Sequence, residues 1–571
     1  MSRIVPEIEY RLELKETAAS TGYFAVVPQT ADAFEMGLAY LRRHPNDSFM
    51  HAHLLECLGT MAPDRVNALL GSDHAKAPNV RALLCEAVLI HEHLADFKGR
   101  FKRRDIHDLA DCSPLVFLRS ERLSDHRLHR QWASLFHANL TRHRPLPPLE
   151  KTGLALPFQN IDGSDPPLPE QAHLNAILDA SVTAWKKPTS PRRPLQETID
   201  KALDALGRLE LFEGEEMRHQ SSLSLYALLR RWRFSHAVFS GKLNYLLSGV
   251  QTSYGRGLSL EAARASCLME VVERCSSFSG VNGTTVAGTS REHPVIHGSL
   301  SALSAAGYRL LDPNRLGLET PYLDEPLYWM EGELLSDDDT ASIWVPVQTV
   351  YLFCNLDERS LFSGLGSTGL ASGNTVSEAR LSALYEVLER DSEAVNPYHP
   401  SRCFRVYAED NEINALFEDY RMRGIHVAFQ DISPAFGIPC CSCFVTARDG
   451  TVAKGGGANL NGKRAVLSAL TETPYPYPNG PPSLPAPADL PWLQFESLPD
   501  FSTGVAERDL CLIERTLIAN DLTPIYVDIT RKDLNIPVVR ALIPGVELTA
   551  DFDDYSRINP RLFNNYLKIH K

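Results

Sequence analysis

Ala263-Arg-Ala-Ser-Cys-Leu-Met-Glu-Val-Val-Glu-Arg-Cys-Ser276 and Ala379-Arg-Leu-Ser-Ala-Leu-Tyr-Glu-Val-Leu-Glu-Arg-Asp-Ser392 spell one pattern, ARxSxLxEVxERxS, twice in a chain of 571 residues. Neither copy contains glycine or proline, and both are rich in good helix formers. Residues three apart share a helix face, so Glu270 pairs with Glu273 on one helix and Glu386 with Glu389 on the other. Leu268, Val271 and Val272, and likewise Leu384, Val387 and Leu388, are left to bury the backs. A single ExxER is most simply a solvated face carrying a local ion pair. Two near-identical copies ask for more, because a solvated face does not need the same residues at so many positions. Four carboxylates converging from two helices repel one another unless cations lie between them, and Mg²⁺ is the natural choice: it takes hard oxygen ligands and bridges carboxylates to phosphates. A third, partial copy, Ser468-Ala-Leu-Thr-Glu472, repeats Ser382-Ala-Leu-Tyr-Glu386 and breaks at Pro474.

Each copy comes after a glycine-rich run: Ser253-Tyr-Gly-Arg-Gly-Leu-Ser259, then Gly364-Leu-Gly-Ser-Thr-Gly-Leu-Ala-Ser-Gly-Asn-Thr375, then Lys454-Gly-Gly-Gly-Ala-Asn-Leu-Asn461. Such turns before a helix are expected to offer backbone N–H groups and the positive helix end to phosphate oxygens. None is a P-loop, since no GxxxxGK[ST] occurs.

Around this centre the composition is that of a globular protein, 44% hydrophobic and 22% charged, with a formal net charge of −14 that argues against a nucleic-acid partner. The opening residues lack the apolar stretch of a signal peptide, and no window reaches the roughly 18 apolar residues of a membrane span, so the expected location is the cytoplasm with no membrane contact. The 11 cysteines are scattered, which is no disulfide framework. Cys440, Cys441 and Cys443 lack a second metal-binding pair and read as a buried strand. The sets His51, His53, Cys57 and His126, His129, His137, His143 have no carboxylate or cysteine partner in pattern and read as core or solvated histidines.

Residues 1–150 are read as a helical N-terminal domain, with helices over Ala31–Arg43 and Val80–Ile90 and no fixed repeat period. Pro145, Pro147, Pro148, Pro157, Pro166, Pro167, Pro169, Pro188, Pro191 and Pro194 crowd the next fifty residues, so 151–190 is read as a proline-rich linker. From 191 to 571 helical segments alternate with β-rich runs such as Trp344–Phe353 and Pro524–Ile529, giving an α/β (α+β) catalytic domain.

With these motifs the 191–571 segment resembles the YcaO family: Gly-Arg-Gly before the first helix, Glu270-Val-Val-Glu273-Arg274, Ser372-Gly-Asn374-Thr-Val-Ser-Glu378-Ala, Glu386-Val-Leu-Glu389-Arg390, Gly455-Gly-Gly-Ala-Asn-Leu, Ala469-Leu-Thr-Glu472, and the late run Asn535-Ile-Pro-Val-Val-Arg-Ala-Leu-Ile-Pro-Gly-Val-Glu547. The resemblance implies an ATP site in which Glu270, Glu273, Glu378, Glu386 and Glu389 hold Mg²⁺. It implies that Arg256, Ser259, Arg274, Asn374 and Arg390 contact or orient the nucleotide. It further implies a peptide or protein substrate whose backbone amide is activated as an O-phosphorylated hemiorthoamide. A side-chain thiol or hydroxyl then gives an azoline, sulfide a thioamide, and an amine an amidine. Family members are often dimers and work with recruitment or sulfur-delivery partners, so a homodimer and such a partner are expected here.

Two departures stand out. Arg256 replaces the usual Lys, and Pro474-Tyr-Pro-Tyr-Pro478 replaces the Gln and Arg that often come after Glu472, leaving Arg464 and Arg531 as stand-ins for a phosphate-contacting arginine. The chain ends Leu562-Phe-Asn-Asn-Tyr-Leu-Lys-Ile-His-Lys571 rather than in a proline-rich tail, which shifts the expectation from azoline towards thioamide chemistry. The alternative to an enzyme is a non-catalytic accessory or scaffold that docks through its N-terminal helices.

Overall fold

A computed structural model describes residues 6–15, 23–29, 34–158, 172–182, 192–335, 340–549 and 552–570. Its scaffold is a 13-stranded, largely antiparallel sheet. The heart of it is a hairpin of two 15-residue strands, Tyr226–Ser240 and Leu243–Gly257. Gly241 turns the corner at φ +56, a left-handed conformation that glycine adopts without strain. On one side the sheet continues through Gly280–Val281, Thr285–Ala287, His293–Gly298, Leu327–Leu335, Ile525–Asp528 and Val538–Leu542 to Leu370–Ser372. A second sheet of five strands runs from Val452–Ala458 through Cys440–Thr446, Ala428–Asp431 and Cys403–Tyr407 to Trp492–Gln494.

Three helices carry the repeated motif: Leu260–Ser277, Val376–Val395 and Gly462–Glu472. The first lies on the long hairpin and buries Leu268, Val271 and Val272; the second lies on Val538–Leu542 and buries Leu384, Val387 and Leu388. The third covers Val452–Ala458 and stops at Glu472, because Pro474 cannot continue it. Cys440, Cys441 and Cys443 form the expected buried strand. The β-rich run at Trp344 is strand only to Pro346, where proline removes a ladder donor and a short 3₁₀ turn takes over.

The first 30 residues depart from an all-helical N-terminal domain. Ile8–Lys15 pairs in parallel with the long hairpin (Ile8 opposite Tyr245), and Tyr23–Pro28 pairs outside it. Tyr10 and Leu12 therefore sit in the same core as Trp232 and Val271. Helices between Phe34 and Glu121 have a core of their own around Leu38, Leu54, Leu58 and Leu83. The helix over Val80 begins at Pro78; of the one expected from Ala31, Phe34–Arg43 is seen and 31–33 lie outside the described residues. Further on, helix His126–Arg142 packs on the C-terminal helix Pro560–Ile569, with Trp132 edge-on to Phe563 at 5.0 Å. The 151–190 stretch contains a helix, Leu174–Val182, whose Leu174 is fully buried with Leu510 and Ile513. Pro166, Pro167, Pro169, Pro188 and Pro191 lie outside the described residues. Among the described residues no helix is long and apolar enough to cross a membrane.

Asp47 joins the N-terminal helices to the main sheet. Wholly buried, it caps the helix Ser48–Gly59 through Met50 N, and it accepts from Tyr10 Oη at 2.8 Å, Tyr40 Oη at 2.9 Å and Asn355 Nδ2 at 3.0 Å. Replacing it by Ala would strand these donors in the interior. We expect Asp47→Ala to lower the unfolding free energy by about 3 kcal/mol in a denaturant titration, with Asp47→Asn recovering part of the loss.

Candidate active site

The three motif helices are reached by one local construction, in which a glycine-bearing strand end lies directly on the helix after it. A side chain at Gly255 would meet Ala263 O at 2.1 Å, one at Gly373 would meet Ala379 N at 2.4 Å, and one at Gly457 would meet Ala465 O at 2.2 Å. Gly255, Gly373 and Gly457 serve close strand–helix docking, while Gly364, Gly366, Gly455 and Gly456 of the same runs line the cleft described below. The helix starts are also already capped: Ser259 Oγ accepts from Ala262 N, Thr375 Oγ1 from Glu378 N and Asn461 Oδ1 from Arg464 N. Gly456 differs, because a side chain there would meet Glu389 Oε1 and Glu393 Oε1, each at 2.8 Å.

Close docking aims the glutamates at one another. Glu270 accepts from Tyr254 N at 3.0 Å and lies 3.7 Å from Arg274 Nε, while Glu273 lies 2.9 Å from Arg274 Nη1. On the second helix Arg390 Nη1 donates to Glu393 at 2.8 Å, and its Nη2 is 3.6 Å from Glu389. Arg256, at the end of the long hairpin, donates to Glu472 on the third helix at 2.9 Å. Electrostatic coupling joins these groups across the helices: Glu273 feels Glu386, and Glu386 feels Arg274, Arg540 and Glu472. The structure thus brings together Glu270, Glu273, Glu386 and Glu389 with Arg256, Arg274 and Arg390.

Burial and mutual repulsion act on this cluster in one direction. Burial raises the Glu270, Glu386 and Glu389 carboxyls above the ordinary glutamate range, and pushes Glu273 up to about 8 with Glu386 and Glu270 adding to the shift. Six glutamates (270, 273, 386, 389, 393, 472) face four arginines (256, 274, 390, 540), so carboxyl groups are in surplus, and the ligand-free cluster offsets part of that surplus by holding protons, as at Glu273. Among the described residues no three His, Cys, Asp or Glu side chains already gather about one point as a metal cage would. Arginines hold the carboxylates instead. That suits Mg²⁺, which is commonly bound by one or two carboxylates together with nucleotide phosphates rather than by an all-protein cage. The space kept at Gly456 between Glu389 and Glu393 would be filled by any larger residue. These residues fit Mg·ATP.

The cluster opens into a cleft of about 1310 Å³, lined at this end by Arg256, Glu386, Arg390, Glu393, Glu472 and Gly456. Its far wall is made by Glu319, Glu547 and the segment Phe552–Asn559, with Phe117 of the N-terminal helices packed at a tilt against Tyr555, ring centroids 4.5 Å apart.

Other expected residues lie elsewhere. Glu378 is eight residues before Glu386, ~12 Å along the helix axis, and accepts from Asn374 N at 2.9 Å. Asn374 Nδ2 in turn donates to Thr198 at 2.9 Å. Arg531 is taken up by Asp533 at 2.5 Å and does not reach the cluster; no contact places Arg464 there either. The arginine whose charge acts on Glu273 and Glu386 from behind is Arg540. His51 is buried against Glu86, His53 faces Cys57 at 3.7 Å, and His143 stacks on Tyr398, so the histidine sets are structural. Sequence reasoning passed over Glu393 and Arg540. Arg540 carried a signal, a lone charge inside Ile536-Pro-Val-Val-Arg-Ala-Leu-Ile543.

Comparison with known proteins agrees with this geometry. Residues 254–475 match the sequence model of the family described as "YcaO cyclodehydratase, ATP-ad Mg2+-binding". Residues 254–475 are thus similar to a YcaO domain, whose family is described as binding ATP and Mg²⁺. An uncharacterized protein of Methanothermobacter thermautotrophicus is 28% identical over 357 residues, covering 55% of this chain and 87% of the relative. An "uncharacterized protein in tfuA 3′ region" of Rhizobium leguminosarum bv. trifolii is 29% identical over 239 residues, covering 38% of this chain and 53%, about half, of its own. Among solved structures, YcaO from Methanopyrus kandleri bound with AMPPCP and Mg²⁺ is 20% identical, with TM-score 0.46, over 64% of this chain and 94% of that one.

The raised carboxyls have a consequence for stability. A glutamate whose folded value lies above its unfolded value holds a proton in the native state that the unfolded chain has released, so stability falls as pH rises towards the folded value. Glu273 and Glu358, both pushed up to about 8 by burial, and Glu547, pushed up to about 7, act together. We expect the ligand-free protein to lose on the order of 4 kcal/mol of unfolding free energy between pH 6.5 and 8.5. Glu273→Gln should flatten that slope in denaturant titrations across the range.

Proposed function

We propose that this chain is a Mg·ATP-dependent enzyme that activates a backbone amide of a peptide or protein by phosphorylating its oxygen. The observation that carries this reading is a cluster of glutamates on three helices, of which Glu386, Glu393 and Glu472 line one end of a cleft with room for both a nucleotide and a peptide segment. Glu270, Glu273, Glu386 and Glu389 would hold Mg²⁺, with Glu378 meeting the nucleotide further along the second helix. When bound, Mg²⁺ supplies positive charge to the phosphate oxygens. Arg256, Arg274 and Arg390 would orient the phosphates, and Ser259 and Asn374 would fix the ends of the elements around the nucleotide. Because Arg256 is held by Glu472 in the ligand-free chain, nucleotide entry exchanges that ion pair for a phosphate contact.

The far wall of the cleft, with Phe117, Phe552 and Tyr555, would seat the peptide. A nucleophile adds to the amide carbon, the amide oxygen attacks the γ-phosphorus, ADP departs, and phosphate later leaves carrying that oxygen. We favour sulfide as the nucleophile and a thioamide as the product. One relative is named for a tfuA 3′ region, and TfuA-type proteins are the sulfur-delivery partners that the family resemblance implies. The helices of residues 34–121 are read as a docking surface for substrate or partner. The cysteines, free in the structure, are consistent with a reducing cytoplasm.

Phosphate release on adding a substrate peptide tests the proposal. The expected result is peptide-dependent release that falls at least 100-fold in Glu389→Gln, with ¹⁸O from the labelled amide recovered in phosphate. A chain that binds the peptide but releases no phosphate would support the scaffold reading.

A further inference from the structure

Arg540 is a wholly buried arginine in the strand Val538–Leu542. Side chains two apart in a strand share a face, so it stands between Val538 and Leu542, both fully buried in the apolar core of the main sheet. Among the described residues its side chain makes one hydrogen bond, from Nη1 to Gly366 O at 3.1 Å, and Gly366 lines the cleft. Nε and Nη2 have no partner among the described residues. A cation set in an apolar face with two unused donors is not explained by local bonding, since such a charge is costly unless something compensates it.

The compensation lies in the glutamate cluster. The charges that act on Arg540 are Glu386, Arg274 and Glu273, that is, one glutamate from each of the first two motif helices and the arginine between them. No carboxylate among the described residues comes within ion-pair distance, so Arg540 acts across a gap and is not consumed by one partner as Arg256 is by Glu472. It sits behind the cleft wall, on the strand on which the second motif helix packs. The sequence places no arginine directly after Glu472, and Arg531 is bound to Asp533, whereas the charge of Arg540 acts on the paired glutamates.

We propose that Arg540 is a positioning residue: a fixed cation behind the cleft wall that holds the Glu273 and Glu386 carboxylates facing one another and offsets the negative charge that an incoming nucleotide meets. The proposal rests on the Mg·ATP reading of the site and adds to it a residue that touches neither metal nor nucleotide.

A charge role and a packing role separate by sign. Removing a buried positive charge weakens binding of an anion and does not weaken binding of a cation at the same place, whereas a packing defect weakens both. Arg540→Met keeps most of the volume and removes the charge; Arg540→Lys keeps the charge. Two titrations are made at one pH on folded full-length protein: AMPPCP in excess Mg²⁺ by calorimetry, and Mn²⁺ without nucleotide by the electron spin resonance of the free ion. The expected result for Arg540→Met is AMPPCP binding weakened tenfold or more, with Mn²⁺ binding unchanged or tighter. Arg540→Lys should restore AMPPCP binding to within threefold of the parent. Equal AMPPCP binding in Arg540→Met, or a parallel loss of both ligands, overturns the proposal. If Arg540→Met does not fold, a folded Arg540→Lys that has lost AMPPCP binding overturns it, and one that retains binding supports it. If the parent protein binds Mn²⁺ but not AMPPCP, the Mg·ATP reading fails, and Mn²⁺ binding in Arg540→Met still reads the charge: weaker binding there overturns the role of Arg540.

Discussion

Six carboxylates held close together in a folded protein are an electrostatic load, and the architecture around them can be read as the means of bearing it. Like charges in a partly dehydrated pocket raise one another's proton affinity and push apart the elements that carry them. Here the helices cannot move apart, because their apolar backs are locked into two apolar cores: Leu268, Val271 and Val272 in one, Leu384, Val387 and Leu388 in the other. Glycines at the strand ends let each helix sit against backbone rather than a side chain away. Arginines then neutralise part of the load in pairs, Arg274 with Glu270 and Glu273, and Arg390 with Glu389 and Glu393. What remains is a surplus of carboxyl groups, part of it protonated, fixed in place and open to a cleft, where a divalent cation carrying phosphates can displace the protons.

The cleft owes its far side to parts of the chain distant in sequence. The segment Phe552–Asn559 is anchored by Arg557 on Asp125 and by Ile558 N on His129, both in the N-terminal helical region. The C-terminal helix is fastened to the second motif helix by Arg561 on Asp391. The residue after Arg390 therefore anchors the far wall while Arg390 itself faces the glutamates. Through this arrangement the N-terminal helices belong to the cleft as well as to any docking surface, and Asp47 ties the same helices to the strands at the other side of the sheet.

The duplicated motif was legible because helix periodicity is local: Glu270 and Glu273 share a face whatever the tertiary structure, and repetition across 116 residues demanded a common purpose. The glycine runs were visible, but their role was not, since close strand–helix contact and phosphate cradling call for the same residue. Strand Ile8–Lys15 was missed because its partner in the long hairpin lies more than 200 residues away, and Tyr23–Pro28 joins the sheet only through it. Glu378 was grouped with the other glutamates by resemblance, and helix geometry separates it by two turns. Arg540 stood in plain view as a charge within an apolar strand, yet only the packing of both motif helices near it gives that charge a meaning.

The account stands or falls on the carboxylate surplus being a metal-bridged nucleotide site. Calorimetric titration of the unmodified protein with AMPPCP, in Mg²⁺ and again in EDTA, addresses this directly. Saturable one-to-one binding in Mg²⁺ that disappears on chelation is the predicted result. Binding of equal strength in EDTA would contradict it, because the glutamates would then have to accept phosphates with no cation between them.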